Sequence, residues 1–393
     1  MNPLFERLMR QATRLTQSGN LQEATRAIQR ALRGSDSAEP ASTRTTASAV
    51  ASSSAHAAND DTLVVDVESR FVESPPAEAE TPFVSPAPAP TRAPVPDEQT
   101  STDTEEQWID GLFAHQNRSI AYKLFVPAKG SGTPRPLLLM LHGCTQHPED
   151  FAAGTQMNRL AREHGFLVLY PAQTQHANSS KCWNWFKSQH QQRERGEPAL
   201  LAALTKSIIA AQSVDPARVY VAGLSAGGAM ADILGRTHPD VFAAVGVHSG
   251  LPSGSASDLM SALAAMKSGP SKGGALGPSR PTIVFHGDAD STVHPRNGDQ
   301  VAAAALAGLK DGIAQGPQES SGKSTRGRTF TRRTYANAGG QPAVEHWVLH
   351  GAGHAWAGGS PQGSFTDPLG PDASAEMLRF FLLHANPAPG TAQ

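Results

Sequence analysis

One five-residue stretch limits this chain more than any other. Gly223-Leu224-Ser225-Ala226-Gly227 follows the strand-like run Val219-Tyr220-Val221-Ala222 and precedes a small-residue stretch with helical spacing. A serine between two glycines at such a junction fits a sharp strand-to-helix turn, which lifts the hydroxyl clear of a sheet where a base can reach it. Ala222, Ala226, Gly227 and Gly228 are small enough for the two backbones to approach closely. The pattern alone is cheap in a chain with 36 glycines, so its surroundings carry the argument.

Those surroundings agree with it. Thr282-Ile283-Val284-Phe285 reads as a further strand and runs into His286-Gly287-Asp288-Ala289-Asp290. Trp347-Val348-Leu349-His350 leads into Gly351-Ala352-Gly353-His354. Ser225, Asp290 and His354, each just past a strand, stand in the chain order of an α/β-hydrolase. Upstream, Ile120–Val126 alternates as a strand, Pro136–Leu141 reads as a buried strand, and Phe151–His164 reads as one helix. Phe166–Tyr170 is the next strand, Pro198–Gln212 the next helix, and a helix to about His238 precedes the strand Phe242–Val247. This alternation predicts an α/β fold, a mostly parallel sheet covered by helices on both faces.

A serine hydroxyl is a poor nucleophile until a base takes its proton, and His354 on its glycine-rich loop is the expected base for Ser225. A carboxylate must orient that imidazole. Asp288 and Asp290 both qualify; Asp290 is expected in the role because it lies on the loop proper, with Asp288 as a loop cap. Two backbone donors are needed for the developing oxyanion, and the expected pair is the N–H of Ala226 and the N–H of Cys144 after Leu141. Trp183, Trp185 and Trp356 are expected as apolar walls for an ester substrate, the alternative being core packing. No metal or cofactor is expected: there is no H-E-x-x-H, no phosphate-cradling loop, and two cysteines are too few for structural zinc. Cys144 and Cys182 could pair in an oxidising compartment and should stay reduced in the cytoplasm.

The rest of the 393 residues divides by composition. Residues 1–34 read as a helical hairpin and possible docking element, with six arginines between Arg7 and Arg33 and no apolar signal core. Residues 35–103 collapse to Ala, Ser, Thr, Pro and Glu and read as a disordered linker. The hydrolase domain is expected over 104–386, with a tail at 387–393. Within it, 253–280 is a Gly/Ser-rich insertion around a short helix, either a lid element or a plain surface loop. A net charge of −2 has no basic signature for nucleic acid, and no stretch is apolar enough to predict a transmembrane helix. The expected location is the cytoplasm, or outside the cell if the true start encodes a signal peptide.

Several motifs recur together in one family. They are Leu141-His142-Gly143-Cys144-Thr145-Gln146, Cys182-Trp183-Asn184-Trp185-Phe186, Val214-Asp215-Pro216-Ala217-Arg218-Val219-Tyr220, Gly223 to Met230, and Gly351 to Trp356. As a set they resemble the polyhydroxybutyrate depolymerase family of esterases, short-chain-length type, whose relatives include feruloyl and acetylxylan esterases. The resemblance covers roughly Arg118 to Leu383. It implies the triad Ser225, Asp290 and His354, Cys144 as oxyanion donor, and hydrolysis of polyhydroxybutyrate or hydroxyalkanoate oligomers. The alternatives are a general carboxylesterase, a feruloyl- or acetylxylan-type enzyme, or a granule-associated protein without activity. Secreted members carry a signal peptide and often a polymer-binding domain; the Arg-rich hairpin and linker stand here instead. The implied partner is thus a polyester or small ester, with the granule surface as a second partner for an intracellular enzyme.

Overall fold

The computed structural model describes residues 105–128, 132–270, 277–309, 312–314 and 316–387, so the expected hairpin at 1–34 and linker at 35–103 lie outside the described residues. Two strands open the described chain, β1 (Gln107–His115) and β2 (Arg118–Val126). Gln116 and Asn117 join them, both at positive φ, as a two-residue hairpin turn requires. β3 (Arg135–Leu141) leads through α1 (Pro148–Thr155) and α2 (Met157–His164) to β4 (Leu167–Ala172). A short 3-10 turn at Ser188–Gln191 precedes α3 (Gly196–Ala211), β5 (Val214–Leu224), α4 (Ala226–Thr237) and β6 (Ala244–His248). Then come α5 (Leu259–Ser268), β7 (Thr282–Gly287), α6 (Arg296–Gly308), β8 (Gln318–Lys323), β9 (Thr329–Ala336) and β10 (Pro342–Leu349). The two-residue strands β11 (Trp356–Ala357) and β12 (Thr366–Asp367) pair with each other before α7 (Ala373–Phe381).

Ten strands form one sheet in the order β1-β2-β4-β3-β5-β6-β7-β10-β9-β8. The stretch from β4 to β10 is parallel, and antiparallel pairs flank it on both sides. Strands β3, β6 and β7 are buried at every position, the expected state of a central strand covered on both faces. Alternate residues serve opposite layers. Leu137, Leu139, Val221 and Val247 pack with Leu204 of α3, Met230 of α4 and Val301 of α6. Leu138, Met140, Tyr220 and Phe285 face Phe151, Leu160 and the α7 residues Met377 and Phe381. Each such side chain contributes about 1.5–3 kcal/mol relative to exposure. This is the α/β-hydrolase fold.

The elements differ from the sequence expectation in three places. The helix expected over Phe151–His164 is two, because Gln156 adopts φ 55° and its N–H closes α1 on the Ala152 carbonyl before α2 begins. The strands β1, β8 and β9 were not signalled by apolar runs. β1 alternates between half-buried and exposed positions, and β8 is almost wholly exposed, held to β9 by backbone pairing and a Glu319–Arg333 ion pair. β10 begins at Pro342, five residues before the strand-like run.

The insertion at 253–280 carries α5, capped at Asp258 by a reciprocal bond pair with Ser261. Ala262 and Ala265 face inward, whereas Leu259, Met260 and Leu263 are more than half exposed. Its last turn is fastened to the start of α6: the His294 N–H donates to the Met266 carbonyl (2.8 Å) and Asn297 Nδ2 donates to the Ala265 carbonyl (2.9 Å).

Candidate active site

The small residues around Ser225 allow a contact that any side chain would forbid. A Cβ on Gly227 would lie 2.0 Å from the Leu141 carbonyl oxygen, and one on Gly223 would lie 2.4 Å from the Gly227 carbonyl carbon. The turn from β5 into α4 is therefore pressed against the end of β3. Ser225 sits at its apex with φ 57° and ψ −120°, a conformation disfavoured for a non-glycine residue. Two bonds hold it there: the Ser225 N–H donates to the His248 carbonyl at the end of β6, and the Ala229 N–H donates to the Ser225 carbonyl, both 2.9 Å. Its side chain caps nothing. The Ala226 N–H is the first of the helix, where an amide has no acceptor within the helix itself.

His354 and Asp290 come together from the ends of β10 and β7. His354 Nδ1 donates to Asp290 Oδ2 at 2.7 Å, which leaves Nε2 as the ring nitrogen without a hydrogen-bond partner among the described residues. The Thr292 and Val293 N–H groups donate to Asp290 Oδ1 at 2.9 and 2.8 Å. Burial alone would raise the pKa of this carboxyl, but the donors from His286, His354 and Val293 outweigh it and hold Asp290 well below the usual carboxylate range. Asp288 takes the role expected for it: its carboxylate accepts the Gly351 N–H (2.6 Å) and faces His350 Nδ1 (2.8 Å), capping the turn that follows β10.

The loop after β3 is fastened from several sides. Cys144 is disulfide-bonded to Cys182. The Thr145 N–H donates to the Ser180 carbonyl (2.7 Å), and the Trp183 indole N–H to the His142 carbonyl (3.0 Å). Gln146 Oε1 accepts the Gly143 N–H (2.9 Å), while its Nε2 donates to Asp150 Oδ2 (2.9 Å) and to the Ser364 carbonyl (3.1 Å). His142 Nε2 accepts the Gln173 N–H (3.1 Å), so Nδ1 carries the proton and donates to the Gly143 carbonyl (2.7 Å). Burial pushes this imidazole down to about 4, which keeps it neutral. The Cys144 N–H has no internal acceptor among the described residues.

Residues 120–323 match the family model described as Esterase PHB depolymerase. The chain belongs to that family. It is 35% identical over 239 residues to poly(3-hydroxyalkanoate) depolymerase C of Paucimonas lemoignei, covering 57% of this chain and 56% of the relative. It is 31% identical over 254 residues to the poly(3-hydroxybutyrate) depolymerase of Ralstonia pickettii, covering 60% and 51%. The chain thus spans about half the length of these relatives. Among solved structures, the acetyl xylan esterase from Aspergillus awamori aligns with a TM-score of 0.53 at 18% identity, over 67% of this chain and 94% of that one, a likeness of fold.

In this depolymerase-family chain the three tryptophans are core residues first. Trp356 is 1% exposed, stacks on His248 and donates its indole N–H to Ser374 Oγ (3.0 Å). Trp185 packs edge-on against Phe186 and is 5% exposed. Trp183 is fully buried and borders a cavity of about 670 Å³ together with Gln173, Asn184 and Glu197. Two of the indole N–H groups, those of Trp183 and Trp356, are satisfied inside the protein, and among the three Trp183 borders this cavity.

Sequence reasoning missed Gln146, His248 and His286. His248 is flanked by Phe285 and Trp356, its carbonyl holds Ser225, and its Nε2 accepts the Ala357 N–H (3.0 Å). It therefore ties the serine turn to the segment that follows His354. Burial pushes its ring down to about 3. Only Gln146 had a signal, its place beside Cys144 in the family motif.

Proposed function

We propose that the protein is a serine esterase that cleaves ester bonds of polyhydroxybutyrate or hydroxyalkanoate oligomers through an acyl-enzyme. The observation that carries this reading is the 2.7 Å bond between His354 Nδ1 and Asp290 Oδ2, together with a strained Ser225 turn, in a chain of the depolymerase family. Ser225 Oγ attacks the ester carbonyl carbon, and its proton passes to His354 Nε2. The Asp290 carboxylate stabilises the imidazolium through Nδ1. The N–H groups of Cys144 and Ala226 receive the oxyanion. The tetrahedral intermediate collapses as His354 returns the proton to the departing alkoxide, releasing the alcohol end. Water then attacks the acyl-enzyme with His354 again as base, and the carboxylic acid leaves with Ser225 restored.

The relatives' names supply the substrate, so it is tested directly. Purified protein and Ser225→Ala would be offered amorphous polyhydroxybutyrate, its crystalline form, hydroxybutyrate oligomers and a feruloyl ester. Serine-dependent release of hydroxybutyrate from the amorphous polymer or the oligomers is expected. Hydrolysis confined to the feruloyl ester would overturn the polyester reading.

Location belongs to the same proposal. Cytoplasmic thiols are kept reduced, so the Cys144–Cys182 bond supports an oxidising compartment over the cytoplasmic expectation. It also supports a use for the bond: Cys144 is both the crosslinked residue and the proposed oxyanion donor. Closing a loop of 38 residues contributes about 4 kcal/mol in the chain-entropy view. Mild reduction, or Cys182→Ser, should lower kcat/KM by about tenfold to a hundredfold with secondary structure retained, since removal of a whole oxyanion donor costs about 10²–10³. Full activity after thiol titration has proved complete reduction would show that the bond does not support the donor.

A further inference from the structure

We propose that His286 is a positioning residue for this reaction: its Nε2, 3.4 Å from Asp290 Oδ2, helps hold the carboxylate that His354 needs in order to act as a base. The inference rests on the serine-esterase reading above and deepens it.

The geometry begins with an unusual crowding of donors. His286, near the end of β7, is 2% exposed. Its Nε2 lies 2.8 Å from the Val293 carbonyl and 3.4 Å from Asp290 Oδ2. Both neighbours are acceptors only, so Nε2 must carry a proton, which it donates to the Val293 carbonyl with Asp290 Oδ2 as a longer second contact. Asp290 Oδ2 therefore stands between two imidazoles, His354 at 2.7 Å and His286 at 3.4 Å. With the Thr292 and Val293 amides on Oδ1, the carboxylate has donors on both oxygens, and its side chain is wholly buried.

The other edge of the ring argues that packing alone does not explain a histidine here. His286 Nδ1 is buried and has no hydrogen-bond partner among the described residues. The start of α6 closes over that edge, where a Cβ on Gly298 would lie 2.7 Å from Nδ1. A buried nitrogen left unpaired costs stability, and an apolar side chain of similar size would fill the space without that cost. What an apolar side chain cannot supply is the proton on Nε2.

The effect on His354 follows from charge. A carboxylate that shares its charge with a second donor holds an imidazolium less strongly. Removing this contact should leave Oδ2 more negative towards His354 and move the acid limb of the pH profile upwards. Other groups surround this arrangement. His248 on β6 and His346 on β10 are pushed down by burial to about 3 and about 4, so both are neutral near neutral pH. Beyond His346 lie two partly exposed charges, Asp299 of α6 and Arg333 of β9. Among the described residues the Asp288–His350 pair, 2.8 Å apart and about two-fifths exposed, also neighbours these loops.

The test is kcat/KM against pH on a soluble short-chain nitrophenyl ester. Glutamine can place its amide nitrogen near the position of Nε2, whereas asparagine is too short. His286→Asn should move the acid limb up by about 0.5–1 pH unit, with kcat/KM lower by about three- to tenfold at pH 6 and much closer to wild type above the limb. His286→Gln should bring the limb back. His350→Gln serves as the control, and its limb should stay in place. If His286→Asn does not fold, His286→Met, which fills the space without a donor, carries the same comparison. A limb at the wild-type position in the donor-free variant, or an equal displacement in the glutamine variant, would overturn the proposal. Hydrolysis that persists in Ser225→Ala would instead count against the serine-esterase reading.

Discussion

Ser225→Ala should lower kcat/KM for ester hydrolysis on the order of 10⁴-fold or more, with a thermal midpoint within a few degrees of wild type. The rate effect is large because the nucleophile, base and carboxylate act as a unit, and losing the nucleophile removes the benefit of the other two. The stability effect is small for reasons visible at the turn. Ser225 is held by its backbone, through the His248 carbonyl and the Ala229 N–H, and its hydroxyl caps nothing. Alanine would adopt the same strained φ at a similar cost. Steady-state hydrolysis and a melting curve on the same sample decide it. A folded variant that keeps near-full activity would mean that the ester is attacked from elsewhere.

The second large effect separates two neighbouring carboxylates. Asp290→Asn should cost about 10³–10⁴-fold in kcat/KM, because an amide neither stabilises the imidazolium nor favours the tautomer with the proton on Nδ1. Asp288→Asn should stay within about tenfold of wild type. Its partners are the Gly351 N–H and His350, so it shapes the turn and does not touch His354. Both rates are to be compared at a pH on the plateau of the profile. Equal losses at the two positions would mean that loop geometry, not the charge on Asp290, is what His354 needs.

Much of this site was legible because its signals are local. A serine between glycines after an apolar strand, a carboxylate just past the next strand and a histidine on a glycine loop each depend on a few adjacent residues. The buried strands were legible for the same reason: β3 and β7 are continuous apolar runs. The edge strands were not, since β8 contains Gln318, Glu319, two serines, Gly322 and Lys323 and is defined by its pairing with β9. Gln156 breaks a helical pattern without being a glycine or proline. His248 and His286 were hidden for a deeper reason. What they do depends on partners brought close by the sheet, the segment after His354 in one case and the Asp290 loop in the other. The tryptophans were ambiguous because an aromatic beside a motif looks alike whether it faces substrate or core.

The contact between Gly227 and the Leu141 carbonyl has a consequence for how the site meets its substrate. With no room for even a methyl group between them, the serine turn is packed directly against the end of β3, where the Cys144 loop begins. In the proposed mechanism this packing places the Ala226 and Cys144 segments side by side in the folded chain. If Ala226 and Cys144 are the oxyanion donors, as proposed, little of the ester's binding energy is needed to assemble them at each turnover.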